Sequence, residues 1–398
     1  MSCTPHTDTI VIGAGLAGVC TTYALAKRGA RVQVIEAAAS AAEKASGNRF
    51  GLLTPYISTR PSPLETLYSQ GFYFSTTWLQ NDSQFKDLFH QCGALQLPST
   101  DRLLKTLTDE APISGPIKIN RIDPSLSNEI SGIQINSKAY HIPEAGFISP
   151  RDLIARIFTT YKASISFAPN RRAVSLNRDG AAWKVMCQDG SQLSAANIVI
   201  CSAYEASQLS LTSWLPLEPV RGQTVSIPPT ADSAPLRCVL AFGGYLTPAI
   251  DGSHFLGAHY RHSDTNEQPS ANDTGEIIER CNSWLSALRF LSTNTIHPRV
   301  CFRTSTIDRL PYIGALPDFH AMQQEASQYQ PGTDIQKRVP IRSIEGVHVH
   351  LGHGSRGLLS CPLGAEILAR RIFGEELKEF DHAASVVDPA RLPYRLLA

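Results

Sequence analysis

Residues 8–36 read DTIVIGAGLAGVCTTYALAKRGARVQVIE, and no other stretch restricts the fold as strongly. A short apolar run, Ile10-Val11-Ile12, meets Gly13-Ala14-Gly15-Leu16-Ala17-Gly18. A helix rich in small residues follows to Arg28, and Gly29 ends it before a second apolar run through Val32, Val34 and Ile35. Strand, glycine turn, helix and strand in that order open a dinucleotide-binding βαβ unit. The three glycines serve different ends. Gly13 makes the tight turn, Gly15 lets backbone approach a pyrophosphate, and Gly18 lets the helix pack closely on the strand. The phosphates belong at the helix N-terminus, where unpaired N–H groups and the dipole favour anions. Glu36 ends the second strand, where a carboxylate accepts hydrogen bonds from ribose hydroxyls. An acidic residue there suits an adenosine without a 2′-phosphate, so FAD or NAD rather than NADP.

A chain of 398 residues has room for two domains, and 42% hydrophobic with 18% charged residues is the balance of an ordinary globular protein. The formal net charge of +1 gives no global attraction to nucleic acid, so a polyanionic partner needs a local basic patch. The start, MSCTPHTDT, has neither a basic nor an apolar leader segment, and no apolar run approaches the length of a membrane span. A cytoplasmic protein is expected. Nine cysteines without a CxxC pair read as reduced thiols. No metal site is expected, since strand alternation followed by glycine-rich sequence accounts for His348, His350 and His353.

After Glu36, the segment Ala45-Ser46-Gly47-Asn48-Arg49-Phe50-Gly51 sets hydroxyl, amide and guanidinium groups beside two glycines, the composition of a loop that wraps a pyrophosphate and a flavin edge; a polar surface loop is the plainer reading. Aromatic residues at helical spacing over 63–93 predict a helix facing the core of a second domain. Short strands and turns follow to Phe147, and Ser149-Pro150 starts another helix. Strand signals cover 164–167 and two hairpin strands around Asp179-Gly180 and Asp189-Gly190. The run Asn197 to Ala203 is a buried strand that returns the chain to the first sheet. Pro219-Val220-Arg221-Gly222-Gln223 opens a second β-rich block, with a helix from about Thr274 to Leu291. Residues 300–314 bring Arg303 and Asp308 together with Pro311. Residues 319–339 are polar and without a period, so a surface excursion is expected. Strand 347–351, the turn Gly352-His353-Gly354-Ser355-Arg356-Gly357 and a helix from about Cys361 to Phe373 repeat the opening logic. A second helix N-terminus aimed at a cofactor favours negative charge on it. The expected class is α/β (α+β overall). A discontinuous Rossmann-like FAD-binding domain takes residues 1–62, 146–214 and 300–398, and a β-rich substrate domain takes 63–145 and 215–299.

The fingerprint, the RGQ segment, RTSTIDRLPYIG over 303–314 and GHGSRGLLSCPLGAEILA over 352–369 resemble the D-amino-acid-oxidase-like FAD amine oxidases, which include glycine oxidase. Together they span nearly the whole chain. Within that group ASGNRFGLLTPYIS, DRLPYIGALPD and GSRGL are similar to the oxidase half of the bifunctional tRNA wobble-uridine enzymes. That resemblance implies oxidation of 5-carboxymethylaminomethyl-(2-thio)uridine in tRNA to the aminomethyl nucleoside with release of glyoxylate. It implies a stand-alone oxidase, because no methyltransferase half is present, with a separate methyltransferase acting next. The strand that ends in Cys201-Ser202-Ala203 departs from the family, which usually has glycine there. A small-molecule amine oxidase acting on glycine, sarcosine or a D-amino acid is the alternative. A non-catalytic flavin-binding interaction module is a third reading.

The resemblance assigns cofactor contacts to Gly13, Gly15, Leu16, Ala17, Gly18, Glu36, Ser46, Gly47, Asn48, Arg49, Gly51, Val174, Ser202, Gly352, Gly354, Ser355, Arg356, Gly357 and Leu358. It makes Arg303 the holder of the substrate carboxylate, a role that a planar two-point guanidinium suits. Arg356 is the second choice, and Tyr260 closes over the substrate. The competing structural readings are an Arg303–Asp308 ion pair and a core role for Tyr260. FAD is expected to be noncovalent, with Cys301 at the position of a flavin-tethering cysteine in relatives. Arg49, Arg60, Arg299 and Arg309 are the candidates for a tRNA-facing patch.

Overall fold

The computed structural model describes residues 8–58, 61–98, 117–285, 295–330, 332 and 334–397. Its packing separates two compact units, Met1–Ser46 with Ile154–Glu218 and Thr304–Ala398, and Gly47–Leu153 with Pro219–Arg303. Residues 47–58 and 146–153, which the sequence-based boundaries place with the first unit, pack with the second.

The first unit is built on a six-stranded sheet in the order Tyr312–Pro317, Ser343–Leu351, Asn197–Ile200, Thr9–Ile12, Val32–Ile35, Ile165–Ala168. The last five run parallel, and Tyr312–Pro317 is an antiparallel edge. Parallel strands covered on both faces need continuous apolar sequence, which TIVI and NIVI supply. The fingerprint helix Leu16–Ala26 packs beside the C-terminal helix Gly357–Phe373. Thr21 Oγ1 lies 2.8 Å from His350 Nδ1, and Arg28 binds both Glu366 (2.7 Å) and Glu375 (2.9 Å). A three-stranded antiparallel sheet of Ala173–Asp179, Ala182–Cys187 and Gln192–Ala195 completes the unit's strands.

Two expectations need correction here. The C-terminal helix begins at Gly357, a turn before Cys361: the Arg356 carbonyl already accepts from the Leu359 and Ser360 N–H groups, and Pro362 sits inside the helix. Over 319–339 the chain opens with a helix, Phe319–Ala326. Asp318 caps it through the Ala321 N–H (3.1 Å), while Phe319 stacks on Trp214 with ring centroids 4.6 Å apart. Its apolar face has a partner about a hundred residues back in the chain, which local periodicity does not display.

The second unit carries an eight-stranded sheet in the order His297–Thr306, Leu217–Ile227, His254–His262, Tyr245–Leu246, Val239–Ala241, Ala94–Gln96, Ala139–Ile142, Asn120–Ile122, and a small sheet of Gly51–Leu53, Gly146–Ile148 and Phe89–His90. Helix Ala271–Trp284 buries Ile277, Ile278 and Cys281 in an apolar cluster with Val225, Leu240 and Leu256. The aromatic helix runs Pro63–Asn81, with Ser62 accepting from the Glu65 N–H (3.1 Å), and stops short of Gly93. Beyond it Phe85 is still fully buried, packed against Trp78, so the aromatic signal continues while the helix does not. A short helix, Pro124–Ser131, capped by Asp123 and ended by Gly132, lies in the stretch expected to hold strands and turns.

Candidate active site

The dinucleotide end lies in the first unit. Gly13 has φ +107° and donates to the Ile35 carbonyl, and a Cβ there would stand 2.8 Å from the Cys201 carbonyl oxygen. At Gly18 a Cβ would fall 1.9 Å from the Gly13 oxygen, so the close approach of helix to turn admits glycine alone. Gly15 precedes the helix, whose Leu16 N–H donates to Ser46 Oγ (2.8 Å). Ala17 lies in the first turn of that helix. Glu36 accepts from the Ala14 N–H (2.8 Å) through one oxygen and from the Ala38 N–H (2.9 Å) through the other. Each oxygen retains a second lone pair for a ribose hydroxyl. Ser202 keeps a buried Oγ without a hydrogen-bond partner, and Val174 is on an outer strand with its side chain exposed. These features fit an adenine dinucleotide: an open helix N-terminus, a carboxylate at the strand end and an unclaimed hydroxyl.

The second glycine turn is in the same unit. Gly352 (φ +82°) has Thr306 where a Cβ would be, and the Gly354 N–H donates to the Thr304 carbonyl (2.9 Å). Thr304 directly follows Arg303 in the chain. Ser355 is exposed and Arg356 half-buried, and no side chain caps the helix that Gly357 and Leu358 open.

Arg303 and Tyr260 come together in the second unit. The Arg303 guanidinium carbon lies 4.3 Å from the centre of the Tyr260 ring, and Nη1 is sealed from solvent without a hydrogen-bond partner. Burial pushes this guanidinium down to about 10, against the opposing effect of the nearby Tyr245 phenol. Among the described residues it has no carboxylate partner. The Arg303–Asp308 ion pair is therefore overturned: Asp308 is bound by Arg391, Nε donating at 2.8 Å and Nη2 at 3.1 Å. Nor is Tyr260 a core aromatic, being 42% exposed. Tyr245, which sequence reasoning missed, stands close enough to Arg303 to influence its charge. Its signal is Gly257: a Cβ there would meet the Tyr245 ring at 2.5 Å.

Gly47 and Asn48 are buried, and Asn48 Oδ1 accepts from Arg299 (2.8 Å) and faces Cys301 Sγ at 3.8 Å. Gly51 begins a strand paired with Gly146–Ile148. Burial pushes the Cys301 thiol up, with Arg299 and Asn48 opposing. Of the proposed basic patch, Arg49 is paired with Asp251 (2.5 Å) and Arg299 with Asn48; Arg60 lies outside the described residues, and Arg309 is exposed in the first unit. No helix of the described residues is long and apolar enough to cross a membrane.

The family model for FAD dependent oxidoreductases, DAO, matches residues 8–371. The chain belongs to this family. It is an FAD-dependent oxidoreductase, and the glycine turn, Glu36 and Ser46 are suited to that cofactor. Curated relatives include the tRNA 5-methylaminomethyl-2-thiouridine biosynthesis bifunctional protein MnmC of Stutzerimonas stutzeri (strain A1501), 32% identical over 98% of this chain and 59% of the relative. The protein of the same name from Chromohalobacter salexigens is 31% identical over 94% and 54%. The chain thus spans under two thirds of the length of these relatives. Glycine oxidase from Geobacillus kaustophilus shares the fold, with a TM-score of 0.73 at 20% identity over 95% of this chain and 98% of that one. Iminodiacetate oxidase from Chelativorans sp. BNC1 does so equally, with a TM-score of 0.73 at 20% identity over 94% and 98%.

Proposed function

We propose that this chain oxidises the secondary amine of 5-carboxymethylaminomethyl-(2-thio)uridine at the tRNA wobble position, yielding the aminomethyl nucleoside and glyoxylate. The observation that carries it is Arg303, half-buried, whose Nη1 is sealed from solvent against an aromatic ring and has neither an acceptor nor a carboxylate partner among the described residues. Such a group is suited to a carboxylate brought by the substrate. Likeness to MnmC over nearly the full chain supports tRNA as the carrier of that carboxylate.

FAD, when bound, supplies the two-electron oxidant for the CH2–NH bond. Gly13, Gly15, Leu16, Ala17, Gly18, Glu36, Ser46 and Ser202 would hold its adenosine and pyrophosphate, and the turn from Gly352 to Leu358, with Arg356, would serve the ring. Gly47, Asn48, Arg49, Gly51 and Val174 complete the contacts. The first unit carries the glycine fingerprint, Glu36 and the second glycine turn, and the second unit carries Arg303, Tyr260 and Tyr245. Arg303 fixes the carboxylate at two points, Tyr260 covers it from solvent, and Tyr245 borders the same guanidinium. The carbon–nitrogen double bond left after oxidation takes up water and splits into primary amine and aldehyde, a step that needs no base from the protein. FAD is held without a covalent link, in keeping with the burial of the Cys301 side chain. The product is a primary amine fit for a later methyltransferase, and the reaction belongs in the cytoplasm with tRNA.

The resemblance in fold to glycine oxidase favours a second reading, oxidation of free glycine, sarcosine or a D-amino acid. Nucleoside mass spectrometry of tRNA from cells lacking the gene decides between them. Accumulated carboxymethylaminomethyl nucleoside is expected, and an unchanged profile, with turnover of free glycine by the flavin-loaded protein, overturns the tRNA reading.

A further inference from the structure

Strands Leu217–Ile227 and His254–His262 pair antiparallel, with Arg221 opposite Arg261 and Gly222 opposite Tyr260. Side chains of neighbouring strand residues point to opposite faces. On one face both arginines bind a single carboxylate, that of Asp273, which is inaccessible to solvent. Arg221 Nη1 donates to Oδ2 at 2.5 Å, and Arg261 donates to Oδ1 from Nη2 at 2.6 Å and from Nε at 2.8 Å. Arg221 also ties down the Asn266 and Gln268 carbonyls, each at 2.7 Å, and Gln223 holds the Ser270 carbonyl and Thr274, each at 2.8 Å. His259, again on this face, has Nδ1 2.9 Å from a Glu276 carboxylate oxygen.

On the other face Gly222 and Tyr260 lie together. A Cβ at Gly222 would stand 3.3 Å from the Tyr260 ring, which rests on the bare glycine and against Arg303. Gly222 and Tyr260 are therefore chain neighbours of Arg221 and Arg261, the two arginines locked to Asp273. The pleat turns a clamp on one face into a fixed ring position on the other.

We infer that Arg261 and Asp273 are positioning residues for carboxylate recognition, holding Tyr260 on Gly222 so that its ring covers Arg303. The inference rests on the proposed role of Arg303. Arg261 is the residue to change, because it is partly exposed and its loss leaves the buried Arg221–Asp273 pair intact. The measurement uses the flavin-loaded full chain and compares a small N-(carboxymethyl)amine with its neutral carboxamide. Arg261→Gln is expected to cut the acid-over-amide preference about tenfold, through KM for the acid, with kcat held within about twofold and flavin content unchanged, because a tilted cover misplaces the recognition contact without removing it.

Gly222→Ala perturbs the same ring from beneath, without touching any charge. It should cut the preference in the same way, and it decides the matter if Arg261→Gln fails to fold. A wild-type preference retained in both variants overturns the positioning role while leaving Arg303 in place. A wild type without any acid preference overturns the role of Arg303 and this inference together.

Discussion

Arg221 and Arg303 belong to the same unit, and both withdraw guanidinium nitrogens from water, yet their surroundings are opposite. Arg221 is 1% exposed with Nε, Nη1 and Nη2 all donating, one of them to a buried carboxylate. Arg303 has a buried Nη1 with no acceptor, and a tyrosine ring in place of an anion. An uncompensated buried charge is expensive, and a fold built for stability alone pairs it as Arg221 is paired. The satisfied arginine is architecture, and the unsatisfied one is an opening for a ligand.

The sharpest way to break this contrast is Asp273→Asn, which strips Arg221 of its counter-charge. Loss of one partner of a buried pair costs about 3–5 kcal/mol, so chemical denaturation should show a fall of that size, and because Asp273 also holds Arg261 the acid-over-amide preference of the folded fraction should fall as it does in Arg261→Gln. Arg303→Lys is expected to spare stability. A lysine keeps the charge and loses the planar fork, so anaerobic stopped-flow flavin reduction by a carboxylate-bearing amine should slow by about a hundredfold, while the melting curve and flavin content stay put. An unchanged acid-to-amide preference in that variant removes Arg303 from the site.

A third arginine tests the assignment of Asp308. Burial raises that carboxyl, but the hydrogen bonds from Arg391 outweigh it and hold it below its ordinary value. A depressed carboxyl contributes stability above its unfolded value of about 4 and loses it as pH falls through the folded value. Arg391→Met should therefore cost about 1–2 kcal/mol near neutrality. The gap from wild type, followed by melting temperature, should close as pH drops below about 4. The smallest effect belongs to Arg49→Ala. Its pair with Asp251 is largely exposed, so the unfolding free energy from urea titration should fall by less than about 1 kcal/mol.

Legibility in the sequence follows how far each decisive contact reaches along the chain. Gly13, Gly15, Gly18 and Glu36 all lie within one βαβ unit, so spacing alone displays their turn, close approach and strand end. A helix start with a local cap, such as Ser149-Pro150, is equally plain. Asp308 is misassigned for the opposite reason: five residues separate it from Arg303, but its partner Arg391 is supplied 83 residues downstream. The helix at Phe319 is hidden because Trp214, which covers it, is far away in sequence. Tyr245 carries no mark of its own, and only the glycine across the ladder shows that its ring needs room. The RGQ segment is recognisable as a string, but the buried anion that gives Arg221 its purpose sits on a helix a strand and a loop away.

The strand order of the first sheet also fixes when this protein can become itself. Thr9–Ile12 leads the chain, yet one of its flanking strands is Asn197–Ile200, which in turn pairs with Ser343–Leu351. Thr21 meets His350 across 329 residues. At roughly 5–20 residues per second a ribosome needs on the order of 15 to 70 s to deliver that partner. Thr9–Ile12 has both flanking strands once residue 200 is made, but Asn197–Ile200 still awaits Ser343–Leu351, and Thr21 awaits His350. A truncation ahead of Ser343 therefore takes from the fingerprint helix a partner that lies more than three hundred residues downstream of it.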